Sequence, residues 1–182
     1  MSGSRFSLAS SSVGLLDSCA RAANPARVGL ARVDERDGGP HAALAVDDWV
    51  AQQIKGAYNV ERVYRDDDGD IPIPFASSVV FVRSYEHGSP FLELHALLLA
   101  DYEMSPEIFG AVNAVNAQLS LPKVMIDADR RQIYLEAWLL VATLSPHDLL
   151  FAIEFVADAA DHFGPLLQER FGGRLMIDDG RR

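Results

Sequence analysis

The sequence predicts an α+β domain: one antiparallel sheet of about five strands with three helices packed against it. Two observations carry this. Apolar residues recur at three- and four-residue spacing in three stretches and at alternating positions in the stretches between them. The strand-like stretches also follow one another through connections too short for a parallel crossover, which imposes antiparallel pairing.

The first helix is expected over Ala43 to Tyr58, with Val46, Trp49, Val50, Ile54 and Ala57 as its buried stripe. Asp47 and Asp48 fall in its first turn, where negative charge suits the helix dipole. Val60 to Arg65 alternates as a half-buried strand should, and Asp66-Asp67-Asp68-Gly69-Asp70 follows as a hairpin turn. A calcium loop fails there, because aligning Gly69 with the loop's conserved glycine places Tyr64 at the first ligand position. Ile71-Pro72-Ile73-Pro74 suits only an edge strand or an extended lead-in, since each proline lacks a ladder donor. Ser77 to Tyr85 and Phe91 to Leu99 read as strands joined by Glu86-His87-Gly88-Ser89. In the second of them Leu92, Leu94, Ala96 and Leu98 form a wholly apolar face, and Phe91, Glu93, His95, Leu97 and Leu99 form a mixed one.

Ser105-Pro106-Glu107 opens a second helix, read as a serine cap followed by proline and running to about Leu119. Lys123–Asp127 and Gln132–Thr143 read as two strands joined by Ala128-Asp129-Arg130-Arg131. The last helix is the strongest element. Ser145 stands at the cap, Pro146 follows it and Asp148 lies where its side chain can reach back. A stripe of Leu149, Ile153, Val156, Ala160, Phe163 and Leu167 then runs to the Gly172-Gly173 stop. Three regions follow: an N-terminal extension over 1–41, the α+β domain over 42–173, and a C-terminal tail over 174–182 that reads as mobile.

The net charge of −10 argues against nucleic acid, which demands clustered Lys and Arg. Residues 1–41 hold five arginines and four acids, so the acidic excess lies in residues 42–182. The single cysteine, Cys19, excludes an internal disulfide framework and any multi-cysteine metal site. Leu16-Asp17-Ser18-Cys19 lacks the apolar run that a lipoprotein signal needs, and no apolar stretch approaches the roughly 20 residues that span a bilayer. The expectation is a cytoplasmic protein with no membrane contact.

No enzyme signature survives inspection, so no catalytic residue, cofactor or metal is assigned. Gly172-Gly173 ends a helix, whereas a phosphate loop begins one, and the histidines lack metal-ligand spacing. One constellation stands out. Glu93 and His95 share one strand face, and Tyr134, Glu136 and Trp138 share another. If these faces coincide, Glu93, His95 and Glu136 offer an acid–base or small-molecule site as the alternative reading. A surface turned to a protein partner fits the aromatic and polar mixture better, with Phe81, Tyr85, Phe91, His95, Tyr134 and Trp138 as contact residues. Self-association through that face is a third reading.

Several segments together resemble a known family. They are Pro122-Lys123-Val124-Met125-Ile126-Asp127, Gln132-Ile133-Tyr134-Leu135-Glu136-Ala137, the Ser145-Pro146 helix closing on Phe171-Gly172-Gly173, and the Asn113-Ala114-Val115-Asn116 helix. Over residues 43–173 this pattern resembles YbjN-type proteins and, more broadly, the type III secretion chaperone superfamily, especially its actinobacterial relatives. The resemblance implies a sheet with helices against it, a homodimer, and a non-enzymatic chaperone-like or regulatory role. Grooves on sheet and helices would hold a client peptide segment, by strand addition and pocket filling. It carries over no catalytic residue, and residues 1–41 lie outside it.

Overall fold

A computed structural model describes residues 46–85 and 90–177. The extension over 1–41, the turn at Glu86–Ser89 and the end of the tail lie outside the described residues. The elements are α1 (Val46–Tyr58), β1 (Ile71–Pro74), β2 (Val79–Tyr85), β3 (Phe91–Ala100), α2 (Glu107–Asn116), β4 (Lys123–Asp127), β5 (Gln132–Leu140), a 3-10 turn (Val141–Thr143) and α3 (Pro146–Phe171). The strands form one sheet in the order β1-β2-β3-β5-β4, antiparallel throughout. This is the α+β architecture that the sequence predicts.

One strand is exchanged. Val60–Arg65 joins no ladder, and the fifth strand is the proline-bearing β1. The reason is burial. Val60, Glu61, Arg62, Tyr64 and Arg65 are exposed, whereas Ile71 and Ile73 are buried. Alternate residues of an antiparallel strand aim their amides to the same side. Pro72 and Pro74 are therefore both tolerated with their missing donors toward the open margin. The acidic turn is built by Asp66, whose Oδ1 accepts from the amides of Asp68 and Asp70, while Gly69 supplies φ 88°.

The apolar faces of β2, β3 and β5 point one way, and α3 lies across them. Gly164 marks the closest approach, where a Cβ would come 3.2 Å from the Leu98 carbonyl oxygen. Ala152, Ala157, Ala159 and Ala160 keep the rest of the contact close. α1 leans on α3 through Trp49, Val50 and Ile54, and α2 lies against β4. The predicted cap of α3 is present: Ser145 Oγ accepts from the Asp148 amide, and the Asp148 carboxylate reaches back to the Ser145 amide. Its bond with the Ser145 hydroxyl holds that carboxylate below its usual range.

Three boundaries differ from expectation. Ser105 gives no side-chain cap, because α2 opens at Pro106 in helical geometry and the Ile108 amide closes on the Ser105 carbonyl. α2 also ends at Asn116, before Leu119. β5 stops at Leu140, where the 3-10 turn begins. A bulge between Leu97 and Leu99 turns Leu99 inward, away from the mixed face assigned to it. The start of the tail is bonded: Arg174 forms an isolated bridge to Ala100, its Nε meets Asp101 at 2.7 Å, and the Ile177 amide donates to Ser77.

Candidate functional site

The helices cover one face of the sheet, and among the described residues no element packs over the other. Strand register builds that outer face row by row. Phe81, His95, Glu136 and Lys123 lie side by side across β2, β3, β5 and β4. Arg83, Glu93 and Trp138 form the next row, with Tyr85, Phe91 and Leu140 beyond it. Leu97, Tyr134 and Met125 form the row on the opposite side. The mixed faces of β3 and β5 therefore coincide, and Phe81, Tyr85, Phe91, His95, Tyr134 and Trp138 share one surface.

Ring contacts organise it. Phe81 and His95 stack with centroids 4.9 Å apart and an interplanar angle of 8°. Tyr85 and Trp138 lie 5.2 Å apart at 33°. Phe81, His95 and Tyr134 are half-buried, whereas Tyr85 and Phe91 are each 38% exposed and Trp138 is 50% exposed. This is a large apolar surface for a sheet to leave uncovered.

The polar groups are fixed among these rings. Arg83 donates through Nε and Nη2 to the two oxygens of buried Asp70, each at 2.7 Å. This pair raises the guanidinium further above its ordinary pKa. The Tyr85 hydroxyl donates to Glu93 Oε2 at 2.7 Å, which raises the tyrosine pKa. Trp138 Nε1 donates to Glu136 Oε1. Burial lowers the His95 pKa, and its Nδ1 is buried without a hydrogen-bond partner among the described residues. The carboxylates of Glu93 and Glu136 thus steady aromatic rings, and neither bonds to His95.

A second feature escaped the sequence reading. A groove of about 710 Å³ runs along β1, lined by Ile54, Tyr58, Val60, Val63, Tyr64 and the β1 residues, among others. Reading Val60–Arg65 as a paired strand concealed it. Unpaired, that segment becomes a wall, with Tyr64 74% exposed. Met125 and Leu140 were missed on the outer face as well; the alternation of β4 and β5, once their register is known, places both there.

The sheet margins are partly obstructed against ladder formation in two ways. β1 carries its prolines, and on β4 the Asn116 side chain occupies the backbone of Val124. Its Oδ1 accepts from the Val124 amide at 2.7 Å, and its Nδ2 donates to the Val124 carbonyl at 3.0 Å.

Residues 45–179 match the family described as T3SS (YopN, CesT) and YbjN peptide-binding chaperone 1. The chain belongs to this family. Its fold is also shared by two solved complexes. The ExsC–ExsE complex is similar with a TM-score of 0.55 and 18% identity, over 67% of this chain and 92% of that one. The HopA1–SchA chaperone–effector complex is similar with a TM-score of 0.51 and 11% identity, over 64% and 91%. No curated protein matches the sequence. Among the described residues, no helix is long and apolar enough to cross a membrane.

Proposed function

We propose that this peptide-binding chaperone holds an extended client segment on the outer sheet face, with Phe81, Tyr85, Phe91, His95, Tyr134 and Trp138 as the contacts. The observation that carries the reading is the uncovered aromatic surface, with Trp138 half exposed beside Tyr85 and Phe91. Apolar client side chains lie between the ring rows. Contacts are made by side chains on the face; proline on β1 and Asn116 on β4 disfavour strand addition at the margins.

The role is non-enzymatic, and the protein works in the cytoplasm as a homodimer. The acid–base alternative at Glu93, His95 and Glu136 finds no support, because the two carboxylates are engaged by Tyr85 and Trp138 and the His95 Nδ1 is enclosed. The test is binding of a labelled extended apolar peptide to the full chain and to its Trp138→Ala and Tyr134→Ala variants. Losing a central aromatic anchor costs roughly 2 kcal/mol or more, or about thirtyfold in affinity. Unchanged affinity in folded variants refutes the site. Light scattering at about 40 kDa, twice the 19.9 kDa chain, is expected for the dimer; a monomer refutes that part.

A further inference from the structure

We infer that the outer face selects client segments carrying arginine or lysine between apolar residues, with the cation seated at Glu93 and Glu136 beside the Tyr85 and Trp138 rings. This rests on the proposed client-binding face and adds the chemistry of what it accepts.

The argument is one of unbalanced charge. Five charged side chains belong to the strand positions of this face: Arg83, Glu93, Lys123, Asp127 and Glu136. The two cations are turned aside. Arg83 stands opposite Glu93 in register, but its guanidinium is locked on Asp70 and has Tyr85, not Glu93, as its second neighbour. Lys123 stands opposite Glu136, but its Nζ donates to the Leu119 carbonyl at 2.8 Å. Asp127 pairs with Arg130. Glu93 and Glu136 are left without an ion pair among the described residues, near the middle of the sheet.

Both carboxylates are oriented. Each spends one oxygen on an aromatic donor, Tyr85 or Trp138, and the other oxygen takes no hydrogen bond from the described residues. The two rings so held are in contact with one another. A guanidinium is planar, donates to carboxylates and lies favourably on aromatic faces, so it satisfies both components at once. Apolar neighbours on the same segment meet Phe81, Phe91 and Leu97. A neutral apolar segment would leave two carboxylates poorly solvated beneath it, and an acidic one would be repelled.

The test uses the full chain and two fluorescein-labelled synthetic peptides, one alternating arginine with leucine and valine, the other its twin with citrulline in place of arginine. Anisotropy at fixed ionic strength is expected to show a preference of about tenfold or more for the arginine peptide. That preference should shrink as salt rises. In Glu93→Gln/Glu136→Gln the preference should vanish, with the citrulline peptide binding at least as tightly as before because no carboxylate is then desolvated beneath it. Glutamine keeps the volume and the acceptors for Tyr85 and Trp138, and matching circular dichroism melts confirm folding.

Equal binding of the two peptides, lost in Trp138→Ala, overturns the charge selection and leaves the client face standing. A preference that survives the double glutamine variant overturns it too, since the cation is then read elsewhere. Binding of neither peptide overturns both proposals. If Arg21→Gln/Arg27→Gln/Arg32→Gln alone accepts the arginine peptide, the chain's own arginines are the occupant, and the assignment to a client falls. A dimer that the double glutamine variant dissociates assigns the face to a second copy and has the same effect.

Discussion

Removing Arg83 should cost more stability than removing the charge of its partner Asp70, although both changes break the same ion pair. The two groups are unequally placed: the side chain of Asp70 is 3% exposed and that of Arg83 is 35% exposed. Arg83→Met keeps the apolar stem over the sheet but strands a buried carboxylate that has lost two 2.7 Å bonds. Breaking a buried pair in this way costs about 3–5 kcal/mol. Water can enter the partly exposed space that the guanidinium leaves, so the expected loss is about 3 kcal/mol. Asp70→Asn retains one acceptor and leaves a cation already one-third in water, for a loss of about 1–1.5 kcal/mol. Urea denaturation of the full chain followed through buried Trp49 gives both values, and unchanged m values confirm that only stability moved. Equal losses, or a larger loss for Asp70→Asn, refute the assignment of the cost to the stranded carboxylate.

Asp161→Ala removes three bonds by which α3 holds the β1–β2 turn, from the amides of Ala76 and Ser77 and from the Ser77 hydroxyl. A loss of about 2 kcal/mol in thermal denaturation is expected. Gly173→Ala places a Cβ 2.5 Å from the Ala100 carbonyl oxygen at φ 89°. It should cost at least about 2 kcal/mol by the same measurement, and a neutral result would show that the Arg174–Ala100 bridge is not maintained in solution. His95 links stability to pH. Burial lowers its pKa, Arg83 adds to the effect, and Glu93, Asp70 and Asp66 oppose it. As pH falls through about 6.5, the unfolded chain takes up a proton that the folded chain resists. Stability should therefore decline as pH falls below about 7, and His95→Gln should flatten that decline in urea titrations.

The fold was legible wherever local chemistry and tertiary packing agree. Ser145, Pro146 and Asp148 fix the start of α3 through their own backbone, and the Lys123–Asp127 strand is bounded by Pro122 and the Asp127 turn. Val60–Arg65 misled because its alternation suits a strand, while strand status depends on a partner that no local pattern encodes. β1 won the place beside β2 with buried Ile71 and Ile73, despite the two ladder donors its prolines lack. The six outer-face residues could be named from alternation alone. Their coincidence could not, because the intervening α2 conceals that β5 pairs directly with β3. The locking of Arg83 and Lys123 away from Glu93 and Glu136 depends on side-chain geometry and was beyond sequence reasoning.

The paired occupation of Val124 by Asn116, set against Pro72 and Pro74 on the far margin, bears on how such a protein survives its own cargo. Segments that need a holdase are often ones that would otherwise stack strand upon strand, and an unguarded sheet invites them to use the chaperone as a seed. Here the backbone templates at both borders are occupied or incomplete, so a captured segment can be stored without starting a fibre. On this view Asn116→Ala would leave a chaperone that still takes up its cargo but no longer keeps it in discrete, countable complexes.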